Sequence, residues 1–140
     1  YHSRMTLPAF PAASTTLILA GPAGALELAV DLPEAEAAPV PLTVVLCHPL
    51  STEGGSLSNK VVTMAARSLR ELGATTVRFN FRGVGQSEGT FDHGNGEQLD
   101  LRAVVDWVRG QRPDDDLWRV GFSFGAYVYL CASDVVQPDA

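Results

Sequence analysis

The chain has 140 residues, of which 46% are hydrophobic and 19% charged, with ten Lys and Arg against sixteen Asp and Glu and a net charge of -6. That length fits one domain and that composition builds a core, so general disorder is excluded, and thirteen Gly and nine Pro without a period exclude a collagen-like chain. The acidic balance argues against a nucleic-acid partner, and no apolar run approaches the roughly 18 residues of a membrane span.

Residues 1–14 read as a tag remnant before Met5 followed by an N-terminal arm, and residues 15–140 as a single domain. Pro8, Pro11 and Ser14-Thr15-Thr16 interrupt the apolar stretch from Leu7 to Ala20, so a secretory leader is not expected. The two cysteines, Cys47 and Cys131, are too few for a disulfide framework and are expected as free thiols in a cytoplasmic protein.

Thr16 to Leu19 and Gly24 to Leu32 read as a hairpin turning at Gly21-Pro22-Ala23-Gly24. Glu34 to Pro41 is a surface connector. Leu42 to Cys47 is almost wholly apolar, the pattern of a strand covered on both faces. Val61, Val62, Ala65, Leu69 and Leu72 form one face of a helix over 59–72 that stops at Gly73. Thr75 to Phe79 is a strand, Leu99 to Val108 a helix, Leu117 to Val120 a strand and Phe124 to Cys131 a buried helix. From residue 42 the order is strand-helix three times over. The expected fold class is therefore α/β, with a mainly parallel sheet, helices on both faces and an antiparallel hairpin at its edge.

Three motifs follow three of these strands. Gly121-Phe122-Ser123-Phe124-Gly125 has the pattern G-x-S-x-G between a strand and a helix. A serine hydroxyl is a weak nucleophile that must meet a base unobstructed, and a sharp strand-to-helix turn lifts it above the sheet. Gly121 and Gly125 leave room where side chains would crowd. The Phe124 N–H, at a helix start, is a candidate oxyanion donor. The plainer alternative is a Gly-rich turn with Ser123 as helix cap; the strand–turn–helix context favours the nucleophile.

His48-Pro49-Leu50 with Gly54-Gly55 follows the buried strand. Ligands of open α/β sheets bind beyond the carboxyl ends of the strands, so the Leu50 N–H is the candidate second oxyanion donor. His48, Gly54 and Gly55 are expected to support that loop, His48 through ring hydrogen bonds and not as a base. No His, Cys or carboxylate cluster accompanies His48, so no metal is expected. Asn80-Phe81-Arg82-Gly83-Val84-Gly85-Gln86-Ser87-Glu88-Gly89 has no Lys-Ser/Thr and no dinucleotide spacing. It reads as a structured turn tied down by Asn80 and Arg82. His93 reads as a solvated loop histidine with, at most, a substrate-side role. Glu97 and Asp100 read as favourable charges at a helix start. Phe122, Phe124, Tyr127 and Tyr129 line an apolar pocket or fill core.

Taken together, the motifs at His48-Pro49 with Gly54-Gly55, at Asn80 to Ser87 and at Gly121 to Gly125 resemble a small, lidless serine α/β-hydrolase. The resemblance is to the bacterial group related to dienelactone hydrolases and acyl peptidase-like esterases, and it covers roughly residues 15 to 132. It implies Ser123 as nucleophile, the N–H groups of Leu50 and Phe124 as oxyanion hole, and no cofactor. In that family the acid and then the histidine follow the nucleophile. Here no histidine follows Ser123. The expectation is that the C-terminal half is missing or gapped after about residue 132, with the catalytic histidine outside these 140 residues. Ser133 to Ala140 resembles the family's acid loop, which makes Asp134 the tentative acid, with Ser133 in that place as the other register and a frayed polar terminus as the plain reading.

The function expected is hydrolysis of a carboxylic ester or related small-molecule acyl substrate through an acyl-enzyme on Ser123, with neither nucleic acid nor membrane as partner. The alternative is a non-catalytic binding protein, or a truncated and inactive relative lacking the triad histidine.

Overall fold

The computed structural model describes residues 7–50 and 55–131. Strands β1 (Thr15–Gly21) and β2 (Gly24–Asp31) form the expected hairpin, with Gly21 opposite Gly24 and Pro22-Ala23 as its two-residue loop. Strands β3 (Leu42–Cys47), β4 (Thr75–Phe79) and β5 (Asp116–Gly121) complete a five-stranded sheet in the order β1-β2-β4-β3-β5. β4, β3 and β5 are mutually parallel, while β2 joins β4 antiparallel. This is the mixed sheet, mainly parallel with an antiparallel hairpin at its edge, that the sequence led us to expect.

Helix α1 (Lys60–Glu71) covers one face. The Asn59 side chain caps it, accepting the N–H groups of Val61 and Val62, which explains the start read from the sequence. Val62 and Ala66 pack there on Val44, Leu46 and Ala74. Helices α2 (Asn95–Gln111) and α3 (Phe124–Cys131) lie over the other face. There Leu101, Val104, Val105, Trp107, Val108 and Val128 meet Leu28, Val45, Val77 and Phe79 in the larger core. The N-terminal arm docks on α2: Phe10 stacks on Trp107 at 5.3 Å, and the Trp107 indole N–H donates to the Pro8 carbonyl at 2.8 Å. Among the described residues no helix is long and apolar enough to cross a membrane.

α2 begins four residues before the expected Leu99 and runs three past Val108. Its first turn, Asn95-Gly96-Glu97-Gln98, carries no apolar side chain, so the helical period is silent there. Glu97 lies in that first turn, as its reading as a favourable charge at a helix start requires, whereas Asp100 does not. Both are fully buried.

One register row decides where the site forms. Cys47 of β3 pairs with Phe79 of β4 on one side and Gly121 of β5 on the other. The three strands therefore end level, and the three motif-bearing segments leave the sheet side by side.

Candidate functional site

Ser123 stands in the turn between β5 and α3 with φ 54°. Left-handed backbone is unfavourable for a residue with a Cβ, so the neighbours must hold it. The Phe122 N–H donates to the Cys47 carbonyl at 3.1 Å, the Gly125 N–H to the Phe122 carbonyl at 2.9 Å and the Tyr127 N–H to the Ser123 carbonyl at 3.1 Å. The turn is also packed too closely for side chains at its two glycines. A Cβ on Gly121 would lie 2.5 Å from the Ala126 nitrogen, and one on Gly125 2.3 Å from the Cys47 carbonyl oxygen. Ser123 itself is exposed.

The β3 loop is the neighbouring wall. The Leu50 carbonyl accepts the Gly55 N–H at 3.0 Å, and a Cβ on Gly55 would overlap the Pro49 carbonyl. Leu50 thus leaves the same row of the sheet as Ser123, and the Phe124 N–H lies in the first turn of α3, where N–H groups lack a carbonyl partner within the helix. Gly54 and Asp134 lie outside the described residues.

His48 is buried, with both ring nitrogens engaged by backbone. Nε2 accepts the Phe81 N–H at 3.1 Å, so the proton of the neutral ring sits on Nδ1, which donates to the Pro49 carbonyl. Burial pushes its pKa below the ordinary value, against a smaller upward pull from the Pro49 carbonyl. In this arrangement the imidazole ties one loop to the next and has no lone pair to offer a serine. Cys47, directly before it, is a free thiol that burial pushes up to about 12, so it is not a nucleophile.

The β4 loop is fixed by buried polar groups. Asn80 accepts the Leu57 N–H and donates to Glu27, each at 2.8 Å, while the Ser87 hydroxyl donates to the Asn80 carbonyl at 2.6 Å and accepts the Glu27 N–H at 2.9 Å. Arg82 grips Asp100 with Nη2–Oδ1 at 2.8 Å and Nε–Oδ2 at 3.0 Å, and its own N–H donates to the same carboxylate at 3.0 Å. Charge-assisted bonds of this forked kind fix both angle and distance. Asp100 in turn raises the Arg82 pKa, chiefly through the hydrogen bond.

Glu97 was missed as a structural residue. Its carboxylate accepts the N–H groups of Asp92 and Gly94, both at 2.9 Å, while the Asp92 carboxylate accepts the Gly96 N–H at 2.8 Å. The signal in the sequence was the three-residue spacing from Gly94 to Glu97, which allows the glutamate half of a capping box, Gly94 having no side chain for the other half. Between the two pinned N–H groups His93 is exposed, with φ 55°.

The four aromatic residues of the β5–α3 segment divide. Phe122 packs on the α1 side, and Tyr129 joins the larger core. Phe124 and Tyr127 meet the loop carrying Phe91 and His93. Among the described residues no group of three or more His, Cys, Asp or Glu side chains is placed to hold a metal ion.

The protein-family model described as X-Pro dipeptidyl-peptidase (S15 family) matches residues 24–138. A solved serine hydrolase without a lid from Xanthomonas campestris is 66% identical and superposes with a TM-score of 0.90, over 94% of this chain and 60% of its own. A serine hydrolase homologue from Coxiella burnetii is 42% identical with a TM-score of 0.84, over 92% of this chain and 61% of its own. An uncharacterised protein of Rickettsia prowazekii is 43% identical over 91 residues, which are 64% of this chain and 38% of that protein. The chain thus spans about 60% of the length of the two solved relatives.

Proposed function

The chain belongs to the S15 family of α/β-hydrolases, and from that premise we propose that it carries the nucleophile and oxyanion side of a serine hydrolase acting on a carboxylic ester or related acyl substrate. The observation that carries this reading is Ser123, held at φ 54° on an exposed strand-to-helix turn by contacts that tolerate only glycine at Gly121 and Gly125. In the mechanism we infer, Oγ of Ser123 attacks the substrate carbonyl carbon. The N–H groups of Leu50 and Phe124 stabilise the tetrahedral oxyanion. The serine proton passes to a base and then to the leaving alcohol, and water releases the acyl group by the reverse steps.

His48 and His93 are the histidines among the described residues, and His48 has both nitrogens committed. The family's chain order, nucleophile then acid then histidine, assigns the base to a histidine outside these 140 residues, oriented by a carboxylate for which Asp134 is our candidate. His48 and Gly55, with Gly54, support the oxyanion loop. No cofactor takes part in this route. The free thiol of Cys47 and the absence of a disulfide between Cys47 and Cys131 fit a cytoplasmic setting.

The family's own description suggests a second reading, release of X-Pro dipeptides. Binding a free α-amine calls for an available carboxylate. Glu97 and Asp100 engage their carboxylates with backbone and guanidinium hydrogens, while Asp92 is exposed with one oxygen on the Gly96 N–H, so turnover decides between the two readings. The test is mass spectrometry of the full-length protein after treatment with an alkyl fluorophosphonate, with Ser123→Ala as control, followed by turnover of p-nitrophenyl butyrate and of an X-Pro p-nitroanilide. One adduct, lost in the control, with ester turnover is the expected result. A folded protein that takes no adduct overturns the hydrolase reading; anilide turnover without ester turnover overturns the choice of substrate.

A further inference from the structure

A chain of aromatic rings begins at the residue after Ser123 and runs outward to the surface. Phe124 meets Phe81 at 5.7 Å, Phe91 at 5.5 Å and Tyr127 at 6.3 Å between ring centroids, and Phe91 meets His93 edge-on at 4.8 Å. Phe81 closes the inner end, fully buried against His48. The outer end stays open: Phe91 is 39% exposed and Tyr127 53%. The loop holding Phe91 and His93 rests directly on α3, because a Cβ on Gly94 would lie 2.7 Å from the Tyr127 ring.

His93 is not incidental to this surface. Among the described residues, the non-glycine positions with left-handed backbone are Ser123 and His93. Such strain persists where the surroundings over-determine it and gathers at ligand-binding positions. Here the two oxygens of the buried Glu97 hold the N–H groups on either side of His93, and Asp92 holds Gly96. The result is an exposed imidazole in edge contact with the Phe91 ring.

We propose that Phe91, His93, Phe124 and Tyr127 form a shelf that binds an aromatic ring of the substrate, so that the enzyme prefers aryl-bearing esters. The proposal rests on the reading of Ser123 as nucleophile. Its occupant follows from continuity, since the shelf starts one residue from the reacting hydroxyl, and from chemistry. Rings in edge-to-face and tilted contact extend naturally to one more ring, which an alkyl chain of equal area does not match. Both the acyl and the alcohol portion of an ester can carry such a ring.

Two substrate pairs of similar reactivity separate these sources. Benzyl acetate against hexyl acetate places the ring on the alcohol, and methyl 3-phenylpropanoate against methyl hexanoate places it on the acyl group. The full-length protein is compared with a Phe91→Leu/His93→Gly double variant, in which Leu keeps apolar area and Gly keeps the left-handed backbone. Fluorophosphonate labelling of Ser123 is followed in both. The expected result is a preference of roughly tenfold in kcat/KM for the aryl member of at least one pair, expressed mainly in KM and lost in the labelled double variant. A labelled wild type without preference, or a preference the variant keeps, overturns the shelf alone, as when the rest of the protein covers it. An unlabelled wild type overturns the nucleophile reading and the shelf with it.

Discussion

Nε2 of His48 accepts the backbone N–H of Phe81 at 3.1 Å, joining the loop after β3 to the loop after β4. A second proton on the ring would set N–H against N–H, and burial already lowers the pKa from 6.5. The unfolded chain therefore binds a proton below pH 6.5 that the folded chain refuses. Stability from this group is complete above pH 6.5 and declines as pH falls, by at most about 1.4 kcal/mol per pH unit. His48→Gln keeps an acceptor near Nε2 without that titration. Urea unfolding at pH 5.0 and 7.5 should show a smaller loss in the variant. Equal losses would mean the ring is protonated in the folded protein.

Ser123 carries strain that glycine would not. Left-handed backbone costs a residue with a Cβ about 1–2 kcal/mol, against about 0.4–1 kcal/mol for the extra unfolded-state freedom of glycine. Ser123→Gly should therefore be more stable than Ser123→Ala by about 0.5–1 kcal/mol. Both should be unlabelled by fluorophosphonate. Equal melting temperatures for the two variants would show that the turn is relaxed.

Breaking the Arg82–Asp100 pair leaves an uncompensated guanidinium beside a fully buried position. Asp100→Ala should cost about 3–5 kcal/mol in chemical denaturation. Asp100→Asn, which retains an acceptor for the Arg82 N–H, should lie in between. A loss under about 1 kcal/mol for the alanine variant would mean that solvent reaches the pair.

Gly125→Ala would place a methyl group 2.3 Å from the Cys47 carbonyl oxygen, which is backbone and cannot swing aside. The expected cost is about 1–3 kcal/mol, together with at least a tenfold slower labelling of Ser123. Wild-type labelling in this variant would show that the elbow and β3 can separate without harm to the nucleophile.

Much of this architecture was legible because burial follows residue type in the strands. Leu42 to Cys47 is apolar but for Thr43 and lies between two helical layers, and α1 is bracketed by Asn59 and Gly73 as its ends require. The start of α2 was not legible, since Asn95 to Gln98 is polar and its helical state depends on Glu97 reaching back to Gly94. Likewise nothing in the type of Asp100 announces that it is enclosed. Its partner Arg82 sits eighteen residues earlier, on the far side of a turn. The motifs after the strands could be placed at one edge because parallel strands end together. The ring contacts from Phe91 to Tyr127 could not, because they depend on where the β4 loop folds down onto α3.

The shared row of Cys47, Phe79 and Gly121 makes β3, flanked by β4 and β5, a common hinge-pin for everything above it. Releasing β3 from either neighbour frees the segments at 48–50, 80–94 and 122–124 from a single anchor. Such a site does not wear away piecemeal under heat or denaturant. It is dismantled in one cooperative step, and its amides at that row should be among the slowest in the molecule to exchange with solvent.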